Sequence, residues 1–254
     1  MDLDLKTFDL GKEVPRLGQR AEIVASWYLR FNGYFPLTAF ILHDAGATKQ
    51  PGGQLTDADI LAIRLPHTQE IIRGSQGDIE VTTDCQLDVR QGLTDFVIAD
   101  VSSQECKFNW IDKSSQTVNT DFLEYCLRRF GYWSPDAVPE ISKKLSTDQA
   151  FADDPNQVRV RLLSFGVKPS AGFPHIQQIT FESVFEYMKL PLFGSYGDTI
   201  VSDHKQWHPL ICEIYRRLRG HKVEESSPGE VVTWLFPGAG EAGSDGVVPG
   251  QIGA

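Results

Sequence analysis

The chain has 254 residues, 41% of them apolar and 23% charged, with a formal net charge of −10. This composition is typical of a globular protein and excludes a wholly disordered chain. The acidic balance carries no electrostatic signature of nucleic-acid binding, although it leaves room for a local basic groove. No apolar stretch approaches the roughly 20 residues that span a bilayer. Residues 1–12 lack the basic start and apolar core of a signal peptide, so we expect a cytoplasmic protein that does not enter a membrane.

The cysteines Cys85, Cys106, Cys126 and Cys212 are widely scattered along the chain. No two of them form a CxxC pair, and no Cys/His cluster has the spacing of zinc ligands. We therefore expect reduced thiols and no structural zinc.

The first half of the chain predicts one helix and three strands. The helix is indicated by apolar residues at helical spacing, and the strands by short aliphatic and aromatic runs bounded by turn residues. The predicted elements are a helix at 20–31 and strands at 34–43, 60–65 and 96–101. Residues 45–54 are glycine-rich and predict a loop. The polar residues 66–92 are expected to form an insertion with one short strand at 79–82.

The second half predicts further helices around a pair of strands. The elements are a helix at 121–130, an irregular stretch at 135–156 with a short helix at 141–145, strands at 158–162 and 176–179, and helices at 181–188 and 207–219. Arg159 and Arg161 alternate with apolar residues, which predicts a strand with one exposed face. Residues 237–254 are mostly small and polar and are expected to be disordered.

Three carboxylates stand near the predicted elements of the first half. Glu22 lies on the first helix, Asp59 precedes the strand at 60–65, and Asp100 ends the apolar strand at 96–101. Each has a simple structural explanation, because Asp is a common turn residue and an acid on an amphipathic helix is usually solvated. Taken together, however, their order along the chain favours a shared functional site.

That order resembles the PD-(D/E)xK phosphodiesterase superfamily. In this family the first acid precedes a strand, and an apolar strand then ends in (D/E)-x-K. The resemblance covers residues 20–109. Residues 59–70 also resemble a bacterial branch of the superfamily in which the second motif leads to a Cys-(K/R)-x-Asn element. Here Cys106-Lys107-Phe108-Asn109 stands in that place.

The resemblance implies an α/β fold with a restriction-endonuclease-like mixed sheet flanked by helices and a C-terminal α+β extension. Residues 1–115 would form the nuclease-like core, with the strands at 60–65 and 96–101 adjacent in its sheet, and residues 116–236 the α+β extension packed on it. Residues 237–254 would be a disordered glycine-rich tail.

The resemblance also implies a chemistry. Asp59 and Asp100 would bind Mg²⁺, a cation that prefers oxygen ligands, and Glu22 would complete the site. The lysine of the motif would orient the attacking water and offset negative charge. Ser102 stands at the lysine position, and a hydroxyl cannot carry that charge. Lys107 could replace the lysine if the chain turns back near Gln104.

Three functions follow from this pattern. The first is a nuclease-like protein with a degenerate site that acts by binding within a larger protein or nucleic-acid assembly. The second is an active Mg²⁺-dependent nuclease that uses Lys107. The third is an interaction protein without enzymatic activity, in which the acids are structural. The sequence leaves open whether the partner is a protein, a nucleic acid or a second copy of the chain.

Overall fold

The computed structural model describes residues 15–43, 54–68, 71–74, 77–80, 82–112, 114–190, 207–220 and 224–239. Within these ranges the side chains of residues 39–43, 54–57 and 71–80 are not defined. In the described part of the chain, no helix is both long and apolar enough to cross a membrane. The predicted loop at 45–54 lies outside the described residues except for Gln54, and the predicted tail lies outside them from residue 240 onward.

The described part of the chain contains six α-helices and ten strands. The helices are α1 (Leu17–Phe31), α2 (Thr120–Phe130), α3 (Val138–Asp148), α4 (Phe181–Lys189), α5 (Pro209–Arg219) and α6 (Pro228–Leu235). The strands are β1 (Phe35–His43), β2 (Gln54–Arg64), β3 (Ile71–Gly74), β4 (Gly77–Glu80), β5 (Thr94–Val101), β6 (Ile111–Asp112), β7 (Thr117–Val118), β8 (Ala150–Asp153), β9 (Val158–Gly166) and β10 (Gln177–Thr180).

The main sheet is mixed and has six strands in the order β1-β2-β5-β9-β10, with β8 also pairing with β9. Strand β2 runs antiparallel to both of its neighbours, β1 and β5, whereas β9 runs parallel to β5 and β10 runs parallel to β9. The predicted pairing of the strands at residues 60 and 96 is confirmed, with Ile60 opposite Ala99. The predicted α/β class with a mixed sheet flanked by helices is therefore confirmed.

Helices cover both faces of this sheet and divide the core in two. On one face α1, α4, α5 and α6 pack against Ile60, Ala99 and their neighbours. On the other face α2 and α3 pack against Leu61, Ile98 and their neighbours. Because successive side chains of a strand point to opposite faces, each central strand contributes to both cores.

Several elements differ from their prediction. The strand predicted to start at residue 60 begins at Gln54, because its pairing with β1 continues past Asp59. Asp59 therefore lies inside a strand rather than at its entrance. The short helix predicted at 141–145 corresponds to α3, which is longer, with 11 residues. Gln149 follows its last residue and adopts a left-handed backbone conformation. The strand β8 and the helix α6 were not predicted from the sequence.

The half-exposed strand predicted at 158–162 is wrong. All nine residues of β9 are buried, because β9 lies between β5 on one side and β8 and β10 on the other, under helices on both faces. Arg159 and Arg161 do not face solvent, since both guanidinium groups form ion pairs with the buried carboxylate of Asp95. A strand that alternates apolar residues with arginines is consistent with a buried ion-pair network as well as with an exposed face.

The sheet extends across the boundary predicted at residue 115. Strand β9 belongs to the second half of the chain and pairs with β5 over eight residue positions, from Thr94–Val158 to Val101–Phe165. Seven of the eight residues of β5 are buried. The second half of the chain thus supplies a strand next to the centre of the sheet, in addition to helices that pack on it.

A chain truncated after residue 115 is expected to lose cooperative folding. Removal of β9 exposes one edge of β5. Loss of α2 and α3 uncovers one apolar face of the sheet, and loss of α4, α5 and α6 leaves only α1 on the other. Burial of apolar surface is the main favourable term in folding. Circular dichroism during thermal denaturation measures this, with the full-length chain as the control. A sharp unfolding transition in the truncated protein would contradict the expectation.

Candidate functional site: a buried pair of carboxylates

The pairing of β2 with β5 brings Asp59 and Asp100 together. Ile60 lies opposite Ala99 at the last ladder position, so Asp59 and Asp100 face each other one position further on. Ile60 and Ala99 point toward α1. By alternation, both aspartates point to the other face, which also carries Leu61 and Ile98. The strands thus place two carboxyl groups side by side on the face covered by α2 and α3.

Asp59 also terminates the ladder between the two strands. Its Oδ2 accepts a hydrogen bond of 2.7 Å from the backbone N–H of Val101. The next N–H along, that of Ser102, donates to the carbonyl of Phe165 on β9 at 2.9 Å. The Val101 N–H points to the β2 side of β5, and the Asp59 side chain replaces a backbone acceptor there.

The surroundings of the Asp100 carboxyl group favour its protonated form. Burial and a hydrogen bond with Asp59, together with the negative charge of Asp59, raise the pKa of Asp100 to about 8. The Asn109 backbone N–H and the charge of Lys107 act in the opposite direction but are weaker. Two carboxylates in one buried site cannot both ionise without repulsion. The pair therefore holds one proton, and a cation is the natural replacement for that proton.

Asn109 holds both oxygens of Asp100. Its backbone N–H donates to Oδ2 at 2.6 Å, and its side-chain Nδ2 donates to Oδ1 at 3.2 Å. These two bonds fix the carboxyl plane of Asp100 relative to Asp59. Asn109 is the last residue of the Cys-Lys-Phe-Asn element, and its contact with Asp100 gives that element a structural role at the site.

The segment from Ser102 to Asn109 reaches Asp100 because it is held against the end of β9. The N–H of Val167 donates to the carbonyl of Gln104 at 2.5 Å, and the N–H of Cys106 donates to that of Lys168 at 2.8 Å. Gly166 permits this approach. A Cβ atom at Gly166 would lie 2.5 Å from the backbone nitrogen of Cys106, closer than real Cβ contacts.

Ser102 and Lys107 are the two residues that the sequence motif relates to a positive charge at the aspartate pair. Ser102 is buried, and its hydroxyl oxygen accepts a hydrogen bond from the Gln104 N–H at 3.2 Å. Lys107 is exposed between the buried Cys106 and Phe108, and its carbonyl accepts a bond of 2.7 Å from the Ser164 hydroxyl. Its ammonium is close enough to lower the pKa of Asp100, although less than burial raises it.

Glu22 lies elsewhere. It lines a cleft of about 1010 Å³ on the α1 side of the sheet, together with Arg16, Trp27 and Thr38. The aspartate pair points to the opposite face. Among the described residues, no group of three or more His, Cys, Asp or Glu side chains could hold a metal ion. The structure thus brings together Asp59, Asp100 and, at longer range, Lys107, and it keeps Glu22 apart.

The carboxylate oxygens of the pair could supply some of the ligands of a hard divalent cation, with water as the others. Carboxylate oxygens are the ligands that Mg²⁺ prefers, and Mg²⁺ commonly uses one or two carboxylates and keeps several waters. Asp59 is half-buried, so the site is reached by solvent on its side. Two protein ligands are sufficient for such a site and too few for a closed structural metal centre.

Comparison of the chain with protein-family models, with curated proteins and with solved structures gives no significant match.

Replacement of Asp100 by Asn is expected to flatten the pH dependence of stability. The pKa of Asp100 in the folded protein, about 8, lies above its ordinary value of 3.8. The folded state therefore holds a proton that the unfolded state releases, and this contribution to stability is lost as pH rises from about 4 through 8. Urea unfolding from pH 5 to pH 9 measures the change. Asp136→Asn, at an exposed loop position, is the matched control. Equal slopes for wild type and Asp100→Asn would contradict the assignment.

Proposed function

We propose that this chain is a PD-(D/E)xK nuclease-like protein whose Asp59–Asp100 pair binds a divalent cation and whose site serves binding rather than efficient cleavage. The observation that carries the proposal is the meeting of the two aspartates across the end of the β2–β5 ladder. These are the acids that the sequence motif assigns to metal binding, and they lie on adjacent strands as the motif requires.

The order of elements supports the same family. A helix precedes three antiparallel strands, α1-β1-β2-β5, and a parallel strand β9 then joins the far side of β5 after two helices. A mixed sheet of this kind, with the two acids side by side where the pairing of its second and third strands ends, is what the resemblance to restriction endonucleases implies. The fold alone does not define a function, so the proposal depends on the site.

A bound Mg²⁺ would act as a Lewis acid toward a phosphate oxygen and lower the pKa of a bound water. Asp59 and Asp100 would hold the ion through carboxylate oxygens. Asn109 would orient Asp100 through its two hydrogen bonds, and the Val101 N–H would orient Asp59. Glu22, on the opposite face of the sheet, has no part in this arrangement.

The charge of the site favours a role in binding over efficient cleavage. Ser102 is neutral, buried and engaged with the Gln104 N–H, so the motif position offers no ammonium to a scissile phosphate. Two carboxylates then face an anionic substrate with only the metal ion to compensate. Loss of one preorganised electrostatic group commonly lowers a rate by about 10² to 10³. Such a protein would act by binding within a protein or nucleic-acid assembly.

One observation favours a second candidate, an active Mg²⁺-dependent nuclease. The ammonium of Lys107 acts on the charge of Asp100, and the anchored segment at 102–109 presents it on the site's side of the sheet. Lys107 is exposed, so its ammonium is solvated and not fixed at the pair. Activity through Lys107 would need it to become ordered when substrate binds.

Metal binding is expected to depend on pH because the cation replaces the shared proton. Titration calorimetry with Mg²⁺ or Mn²⁺, in buffers of different ionisation enthalpy, should show proton release at pH 7 that vanishes by about pH 9. Affinity should rise up to about pH 8. Asp100→Asn and Asp59→Asn should abolish binding, and Asp136→Asn should retain it. If wild type binds neither metal, the two aspartates are structural, and an interaction protein without enzymatic activity becomes the preferred function.

A lysine at position 102 is expected to raise cleavage of DNA or RNA in the presence of Mg²⁺ by about 10² or more. Ser102→Met, similar in length but uncharged, is the matched control and should stay as inactive as wild type. Cleavage by Ser102→Lys should be lost when Asp100→Asn is added. Robust cleavage by wild type that disappears in Lys107→Ala would favour the second candidate over the degenerate site.

A further inference from the structure

Three arginines are buried at the end of the sheet opposite the aspartate pair. Arg64, Arg159 and Arg161 are 1%, 5% and 4% exposed, and Asp95, at 1% exposure, is the buried carboxylate among them. Arg64 lies across from Asp95 on β2, and Arg159 lies across from it on β9. Buried charges are normally paired, because an unpaired charge in a low-dielectric interior is costly.

The single carboxylate of Asp95 is shared. Arg159 donates from Nε to Oδ1 at 3.1 Å and from Nη2 to Oδ2 at 2.8 Å. Arg161 donates from its Nη2 to Oδ2 as well, at 2.9 Å. The Tyr34 hydroxyl also donates to Asp95, at 2.5 Å, and the pKa of Tyr34 is raised, so it supplies no negative charge. Two guanidinium groups therefore divide one buried negative charge.

The other nearby carboxylates do little to restore the balance. Asp88 also pairs with Arg159, but its side chain is 60% exposed, and water weakens the pairing. The buried Asp84 accepts hydrogen bonds from the Tyr28 hydroxyl and the Gln86 N–H. Arg64 donates to the backbone carbonyls of Asn32 and Thr68. The region around Arg161 is left with an excess of positive charge.

An opening leads from the surface to Arg161. Strands β8 and β10 both pair with the same edge of β9, and they leave between them a notch of about 290 Å³. Ala150 and Ala152 of β8 lie directly opposite Arg161 and Arg159. Residues directly opposite in antiparallel strands share a face, so these short side chains leave space beside the two arginines. Arg159, Arg161, Arg90 and His175 are cationic or potentially cationic residues that line the notch.

Arg161 has an unpartnered side-chain donor in the described part of the protein. It is 4% exposed, it lines the notch, and its Nε–H has no hydrogen-bond partner in the described part of the protein. We propose that the notch between β8 and β10 binds a small oxyanion of the phosphate type, held by the Arg161 guanidinium. A guanidinium matches phosphate oxygens in geometry and charge, and the ion would supply the missing negative charge.

The surroundings select a small ion over a nucleic-acid backbone. The exposed carboxylates Asp88 and Asp148 also line the notch, and the chain has a net charge of −10. A long polyanion lying across the rim would meet these negative charges, whereas a compact ion inside the notch is closest to the arginines. This binding site is separate from the aspartate pair and does not depend on the proposed nuclease-like function.

The test uses the intact chain and inorganic phosphate, titrated by calorimetry at constant ionic strength. Wild type should bind one phosphate. Ala150→Glu places a carboxylate opposite Arg161, so it should raise the melting temperature above that of the uncharged match Ala150→Gln. It should also weaken phosphate binding by about tenfold or more relative to Ala150→Gln.

Arg161→Gln should likewise weaken phosphate binding, and Arg128→Ala, an exposed arginine on α2 away from the notch, should leave it unchanged. Because Arg161→Gln could misfold, the comparison of Ala150→Glu with Ala150→Gln decides. The proposal is overturned if wild type binds no phosphate, or if both Ala150 variants bind it equally and melt at the same temperature. Equal weakening in Arg128→Ala would show non-specific attraction and would also overturn it.

Discussion

The antiparallel ladder between β2 and β5 is the constraint on which the rest of the site depends. Its register, with Ile60 opposite Ala99, decides which side chains meet at each end of the two strands. A slip of one residue would turn every side chain of β2 to the other face of the sheet. Ile60 would then leave the core under α1, and Asp59 would enter it. The apolar cores on both faces therefore hold the two aspartates in register.

Strand β5 carries a buried aspartate at each end, and their surroundings show how environment assigns a role. Asp95 is met by the guanidinium groups of Arg159 and Arg161, so its charge is compensated and it ties β5 to β9. Asp100 is met by another carboxyl group, Asp59, and its pKa is raised to about 8. The two residues are of the same type, on one strand and almost equally buried. A strongly shifted pKa beside a specific charged partner is the usual property of a functional group, so Asp100 is the functional candidate.

Much of this could be predicted from the sequence, for identifiable reasons. The buried strand at 96–101 was recognisable because its apolar run is continuous, and the pairing with β2 followed from the order of elements. The burial of Arg159 and Arg161 could not be predicted, because alternation with apolar residues is equally typical of an exposed face. The contact of Asn109 with Asp100 depends on how residues 102–109 lie against β9, and local sequence does not specify that path. Glu22 was grouped with the aspartates by order alone, which says nothing about the face to which a helical side chain points.

The hydrogen bonds of the aspartate pair do not by themselves require two acids. Asp59 accepts the Val101 N–H, and an asparagine oxygen could accept it equally well. Asp100 accepts two hydrogen bonds from Asn109, one on each carboxyl oxygen. These bonds need oxygen lone pairs but no negative charge on Asp100. A second acid next to the first is repelled when both are ionised, and only a proton held between the two turns the contact into a hydrogen bond. Under the proposed function a divalent cation would offset that repulsion, because its two positive charges would balance both carboxylates. The feature that is hardest to explain as architecture is thus the one that the proposed metal ion would explain.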